Sequence, residues 1–402
     1  MLIIIRILIA IILLVVLIRR KVNLALALLL DAVAVGLLFR TPAFDILTTF
    51  PRTMIQLNTL EFLFIIYMVL VLAQLMRASG NLDRIILNLD KLFADYRIGA
   101  ALLPALIGLL PMPAGAMLSA PIVREMGNKA SLSSEKMTFL NYWFRHLWEY
   151  FWPLYPAILL TAGIFDISLR SIMITQFPLT FAALFVGLIF LLRLPRIKVR
   201  QNPFKVKILA KTIFYLWPVL TIIFLVMVLK FRMAWSLGVS VTLSVLFSRL
   251  PIKTISSLFV KAFSISSLGV IYAVFVFKNM LDLSGALAAI PQIVEGLPAI
   301  KIFVIFFAPF IVGFLTGVNS AFAGIAFPII APLATASGAP FRLVMFAYAS
   351  GFAGVLLSPV HLCLCLTKEY FGADFPKVYR FLLPSVLMLF VISIVLLLIY
   401  RH

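Results

Sequence analysis

The sequence predicts an all-α polytopic membrane protein built from two inverted-topology repeats, each with five transmembrane helices and one re-entrant helical hairpin. Three observations lead there. Hydrophobic residues make up 64% of the 402 and charged residues only 12%, more apolar surface than one soluble core can hide. Two apolar segments are interrupted by proline and glycine at a depth without water. The two halves of the chain also match one another in order, at a nearly constant offset. Hydrocarbon leaves backbone N–H and C=O groups to satisfy one another, and these runs are longer than barrel strands and lack their alternation, so helices do the spanning.

The opening run, Met1 to Ile18, lacks a basic start and a small-residue cleavage site and ends in Arg19, Arg20 and Lys21. It reads as a retained first span and not as a secretory signal. Further spans fall near 22–39, 58–77, 137–164 and 169–192, and then near 209–229, 233–249, 263–281, 341–367 and 379–400. Interrupted segments, read as hairpins, lie at about 98–126 and about 300–333. The stretch "RLPRIKVRQNPFKVK" divides the chain into a first repeat, 1–197, a basic cytoplasmic linker, 198–208, and a second repeat, 209–402.

Sliding the second half back by 205 residues pairs Ile66 with Ile271, Tyr67 with Tyr272, Ser79 with Ser284, Gly80 with Gly285 and Gly108 with Gly313. One further residue of shift pairs Tyr142, Pro153, Thr161 and Pro178 with Tyr348, Pro359, Thr367 and Pro384. A single match carries little, but collinearity points to duplication. Suppose each hairpin enters and leaves on one side and the N-terminus lies outside. Then 23 lysines and arginines fall inside against 8 outside, the bias that sets orientation. Five spans per half is odd, so the halves are inverted. The expected location is the inner (plasma) membrane of a prokaryotic cell, multi-pass, with both termini extracytoplasmic. The net charge of +20 sits at span ends and in short loops, so orientation explains it and no nucleic-acid partner is expected.

Irregular backbone at membrane depth is tolerated where protein buries it or where it lines a cavity, and in inverted-repeat transporters such breaks carry the substrate site. From Ile98 to the first tip is about thirteen residues, roughly 20 Å of helix, past the middle of a hydrocarbon layer about 30 Å thick. The tips are "PMPAG", with Pro111, Pro113, Ala114 and Gly115, and "TGVNS", with Thr316, Gly317, Asn319 and Ser320. Unpaired N–H groups and the helix dipole at each return arm favour an anion. The long spans break too, at "FWPLYP" and "LSPVH", where Ser358 is the expected N-cap and Pro359 the expected first helical residue.

Charge within the spans is the remaining signal. Arg145 and Glu149 lie four apart on one helical face with His146 between them, whereas their counterparts Gly351, Phe352 and Val355 carry no charge. Arg145 reads as neutralising a substrate, and Glu149 as a proton-coupling carboxylate or as half of a static ion pair. His361, beside the second break, reads as binding substrate or carrying a proton, with a hydrogen-bonded structural histidine as the alternative. Asp31 receives no site assignment, and Lys278 is expected to snorkel. Cys363 and Cys365 share no metal-ligand spacing with a histidine pair and read as packing, so no metal or cofactor is expected.

Four stretches carry a resemblance to a known group: "SGNLDRI", "GLLPMPAGAMLSAPIV", "GFLTGVNSAFAGIAFPII" and "SPVHLCLCLTKEYF". The chain resembles the ion-transporter superfamily of gluconate, citrate, dicarboxylate and arsenite permeases, and within it an uncharacterised ten-span prokaryotic family. The resemblance implies a scaffold domain and a mobile transport domain of elevator type, an organic anion carried with a cation, and a homodimer of the kind common among such proteins. Sodium-coupled dicarboxylate members place Ser-Asn-Thr motifs at both hairpins. Here the first tip has only "PMPAG", which favours a co-transported proton over Na+. The expected function is secondary active transport of a small organic anion, a carboxylate. An anion channel of the same fold and an integral-membrane enzyme acting on lipid or peptide are the alternatives. No "HExxH", paired-aspartate or "GxSxG" motif is present, so no enzyme is expected.

Overall fold

Each apolar run of the sequence folds into helix, and proline or glycine marks where a run breaks. The computed structural model describes residues 2–81, 84–85, 88, 95–109, 111, 115–194, 206–293, 298–335 and 340–400. The first half runs through α1 (Leu2–Arg19), α2 (Leu24–Leu38), α3 (Ala43–Ile55) and α4 (Leu57–Ala78) to the hairpin arms α5 (Tyr96–Ile107) and α6 (Ala116–Lys129). A broken helical segment follows as α7 (Ser134–Arg145), a 3₁₀ turn (Leu147–Tyr150) and α8 (Pro156–Phe165), and then α9 (Leu169–Leu192). The second half runs through α10 (Val206–Tyr215), α11 (Trp217–Ile223, continued by a π turn), α12 (Met233–Phe247), α13 (Ile252–Ala262), α14 (Ile265–Leu283) and α15 (Ala286–Ile293). Hairpin arms α16 (Pro298–Thr316) and α17 (Asn319–Thr335), a broken span α18 (Pro340–Leu357) and α19 (Leu362–Phe371), and α20 (Phe375–Ile399) complete it. No strand occurs among the described residues.

Six helical stretches are long and apolar enough to cross a membrane: Leu57–Ala78, Leu169–Leu192, Ile265–Leu283, Ala299–Thr316, Phe341–Phe371 and Phe375–Ile399. Several of the other expected spans form shorter apolar helices, among them α2 and α12. Helices α3, α13 and α15 fall outside the spans and hairpins expected from the sequence. In α3 the buried residues Ile46, Thr49 and Thr53 recur at helical spacing, but Asp45, Pro51 and Arg52 keep the segment from registering as a span.

Helices α1–α4 pack with α11–α14, and α5–α9 pack with α16–α20, so each group draws on both halves of the chain. Contacts of α4 with α8, and of α14 and α15 with α17, join the groups. Tyrosines tie one half to the backbone of the other in matching pairs. Tyr67 Oη donates to Phe259 O at 3.1 Å, and Tyr272 Oη to Phe50 O at 3.0 Å. Tyr142 Oη donates to Leu356 O at 3.1 Å, and Tyr348 Oη to Glu149 O at 2.7 Å. Each such bond is worth about 1 kcal/mol.

The hairpins approach the broken spans at glycine. A Cβ on Gly108 would sit 2.3 Å from Arg145 O, and one on Gly313 2.2 Å from Gly351 O; only hydrogen fits between backbones this close.

One local expectation is corrected. Helix α19 begins at Leu362 with His361 in the N-cap position, so Ser358 is not its cap. Ser358 Oγ instead donates to Phe314 O at 2.6 Å, one of the last carbonyls of α16, which lack partners within their own helix. Lys278 Nζ donates to Gly163 O and Ile164 O, both at 3.2 Å, capping the final turn of α8 with positive charge.

Candidate functional site

Two helical segments are interrupted, between Arg145 and Pro156 and between Leu357 and Leu362, and the chemistry gathers at the breaks. Helix α7 ends at Arg145, and His146 follows in the C-cap position. Its Nδ1 bonds to Tyr142 O at 2.6 Å, satisfying a last-turn carbonyl. The 3₁₀ turn then carries Glu149 across from Arg145. Arg145 Nη1 donates to Glu149 Oε1 at 3.1 Å and to Tyr155 Oη at 2.8 Å. Tyr155 Oη in turn donates to Gly108 O at 2.6 Å, which moors the guanidinium to the first hairpin. The other carboxylate oxygen, Glu149 Oε2, accepts from Asn319 Nδ2 of the second tip. Glu149 is thus clamped between a first-half cation and a second-half amide. Arg145 is only 2% exposed and Glu149 5%, and a buried pair of this kind is far costlier to break than to keep.

The second tip meets the second break directly. Gly317 has φ +64°, and a Cβ there would lie 2.8 Å from His361 Cα and N, so the tip needs glycine for its conformation and for its contact. His361 Nδ1 bonds to Gly317 O at 2.6 Å. The two histidines then meet, with His146 Nε2 3.1 Å from His361 Nε2. Cys363 stands beside them: its Sγ and one ring nitrogen of each histidine all lie within 4.8 Å of one another.

A cavity of about 320 Å³ opens on this junction, lined by Pro111, Arg145, His146, Glu149, Tyr155, Gly317, Asn319, Ser320, His361 and Cys363, with Ile66, Val69 and Leu70 of α4 on its apolar side. That size suits a small ligand, and an apolar wall with a few convergent polar groups is the usual make-up of a binding pocket. Of the site residues named from sequence, Pro111, Arg145, Glu149, Gly317, Asn319, Ser320 and His361 come together here.

The rest lie elsewhere. Thr316 Oγ1 turns back to Val312 O at 2.7 Å, Ser358 serves α16, and Gly115 occupies the N-cap position of α6 without lining the cavity. Pro113 and Ala114 lie outside the described residues, as do Leu82 and Asp83 of "SGNLDRI" and residues 198–205 of the basic linker.

Among the lining residues without a functional role in the sequence-based site are His146, Tyr155 and Cys363. His146 and Cys363 are near neighbours of Arg145 and His361, so adjacency was an available signal. For Tyr155, ten residues beyond Arg145 and across a break, helical periodicity offers none.

The family described as Protein of unknown function (DUF401) matches residues 2–399. The chain belongs to the DUF401 family. Among curated proteins, none matches it. The family's extent covers α1 to α20, so both hairpins and both broken spans of this DUF401 chain lie inside it.

Proposed function

We propose that this DUF401 chain is a secondary active transporter of a small organic anion that works by alternating access of elevator type. The observation that carries the reading is the cavity of about 320 Å³ where the two broken spans and the second hairpin tip, drawn from both halves, converge on Arg145. Helices α17 and α19 begin at this cavity, and their first N–H groups favour a carboxylate. At rest the Arg145 charge is balanced by Glu149. A substrate carboxylate takes the place of Glu149 on the guanidinium, leaving Glu149 to Asn319, so occupancy is linked to the seat of the second hairpin. A proton is the expected co-ion ahead of Na+, because the first tip offers no set of side-chain oxygens to replace a sodium ion's hydration shell.

Two inverted repeats, ten spans and two re-entrant hairpins form the frame of this reading. Its support lies in the reciprocal bonds: Tyr67 and Tyr272, equivalent in sequence, each reach the short helix of the other half, α13 and α3. A pseudo-two-fold axis produces such exchanges. The two packing groups fit a scaffold and a transport domain, and the resemblance to the ion-transporter superfamily points the same way.

Counterflow tests the proposal. Proteoliposomes preloaded with an unlabelled mono- or dicarboxylate are expected to accumulate the labelled acid transiently above its equilibrium level, and Arg145→Lys to lose most of that accumulation. Conductive anion flux with no counterflow for any acid in the panel would make the protein a channel and overturn the proposal.

A further inference from the structure

The contact between the two histidines raises a question of protons. Tyr142 O and Gly317 O are carbonyl oxygens and can only accept, so the 2.6 Å bonds they make to His146 Nδ1 and His361 Nδ1 put a proton on each Nδ1. A neutral imidazole with its proton there presents an unshared pair at Nε2. Two acceptor nitrogens therefore stand 3.1 Å apart with no hydrogen between them, a repulsive contact unless a cation joins them.

We infer that His146, His361 and Cys363 form a binding site for a zinc-like cation. Tetrahedral zinc with Zn–N near 2.0–2.1 Å separates two nitrogen ligands by about 3.3 Å, close to the 3.1 Å found. The thiol sulfur lies within 4.8 Å of a ring nitrogen of each histidine, at most about 1.2 Å beyond the roughly 3.6 Å edge that a Zn–S bond near 2.3 Å sets. Each imidazole is oriented by a backbone carbonyl at its other nitrogen, the outer-shell support typical of metal-bound histidine.

Coordination replaces the S–H bond of Cys363 with an S–metal bond. The thiol proton leaves to solvent, no oxidation state changes, and the thiolate offsets part of the cation's charge in a low-dielectric site. Two nitrogens and a thiolate select borderline or soft d¹⁰ cations over Mg²⁺ or Ca²⁺. Three protein ligands leave one position for a ligand in the cavity. Among the described residues this is the only group of three histidine, cysteine or acidic side chains with such spacing. The inference rests on this cluster alone and does not require the transport reading.

The test uses the purified full chain in detergent, stripped with a chelator and titrated with Co²⁺, then with Zn²⁺ as competitor. The expected result is one Co²⁺ per chain with a near-ultraviolet thiolate-to-cobalt band and the strong visible absorption of a tetrahedral site, both removed by Zn²⁺. Cys363→Ser is expected to abolish the thiolate band and weaken binding more than about 100-fold, beyond the 10–100-fold that loss of an outer-shell partner costs. Cys365→Ser, whose Sγ contacts Pro359 O, is expected to change neither. Absence of stoichiometric uptake by the unaltered chain would overturn the inference and leave a shared proton as the bridge. Cobalt bound without a thiolate band, and unaffected by Cys363→Ser, would overturn it as well. Both readouts are taken without substrate or gradient, so a failure of transport leaves them unaffected.

Discussion

Gly317→Ala probes the joint between the second hairpin and the second break, with its own controls built into the chain. Gly317, Gly285 and Gly372 have φ of +64°, +73° and +68°, the left-handed region that costs an alanine about 1–2 kcal/mol. A Cβ on Gly285 or Gly372 meets nothing within 4 Å, so strain is the whole of their cost. At Gly317 the same Cβ meets His361 Cα and N at 2.8 Å and Ser358 Oγ at 3.1 Å. Two of these atoms are backbone and cannot swing aside, which adds roughly 1–3 kcal/mol of overpacking.

The expected loss of unfolding free energy is therefore about 1–2 kcal/mol for Gly285→Ala and Gly372→Ala and about 2–5 kcal/mol for Gly317→Ala. Equilibrium unfolding in mixed micelles, followed by tryptophan fluorescence, measures all three under one condition. A Gly317→Ala loss no larger than that of Gly285→Ala would refute the claim that the tip is seated on His361.

Arg145→Met alone is expected to cost about 3–5 kcal/mol, because it leaves Glu149 buried without its cation. The double variant Arg145→Met, Glu149→Met is expected to recover most of that loss in the same unfolding assay; equal losses would show that the pair does not act as a unit. For topology, single cysteines at Ser79 and Ser131, introduced into a chain lacking Cys363 and Cys365, flank the first hairpin and are expected to react with an impermeant maleimide from one side of the membrane. Cysteines at Ser284 and Thr335, flanking the second hairpin, are expected to react from the other side. Labelling of either flanking pair from two different sides would break the inverted-repeat frame.

Much of the fold was legible because the bilayer asks a simple question of each segment: is it apolar for long enough? Helix α9 begins and ends at 169 and 192 as expected, and the prolines of "FWPLYP" and "LSPVH" fall at real breaks. Short amphipathic helices were illegible by the same test, as α3 shows. The choice between Ser358 and His361 as cap of α19 depended on an orphan carbonyl at Phe314, more than 40 residues away in sequence. The meeting of His146 with His361 depended on two breaks crossing, with 215 residues between the partners. Local propensity holds no information about either contact.

The structure also bears on why the Arg145–Glu149 pair has no counterpart in the second half. Arg145 and Gly351 are equivalent in sequence, and both do the same thing with their backbone: each carbonyl receives a hairpin glycine, Gly108 or Gly313, at a distance that only hydrogen allows. The shared contact belongs to the main chain, so it places no demand on the side chain. At Gly351 the space is filled by Phe322 of the second hairpin, whose ring would stand 2.4 Å from a Cβ there; no arginine fits. At Arg145 the side chain reaches Tyr155 and Glu149 instead, and Glu149 reaches on to Asn319. Matching backbone contacts at Gly108 and Gly313 thus accompany a charged pair on one side only, because close packing of Phe322 at Gly351 leaves no room for a second.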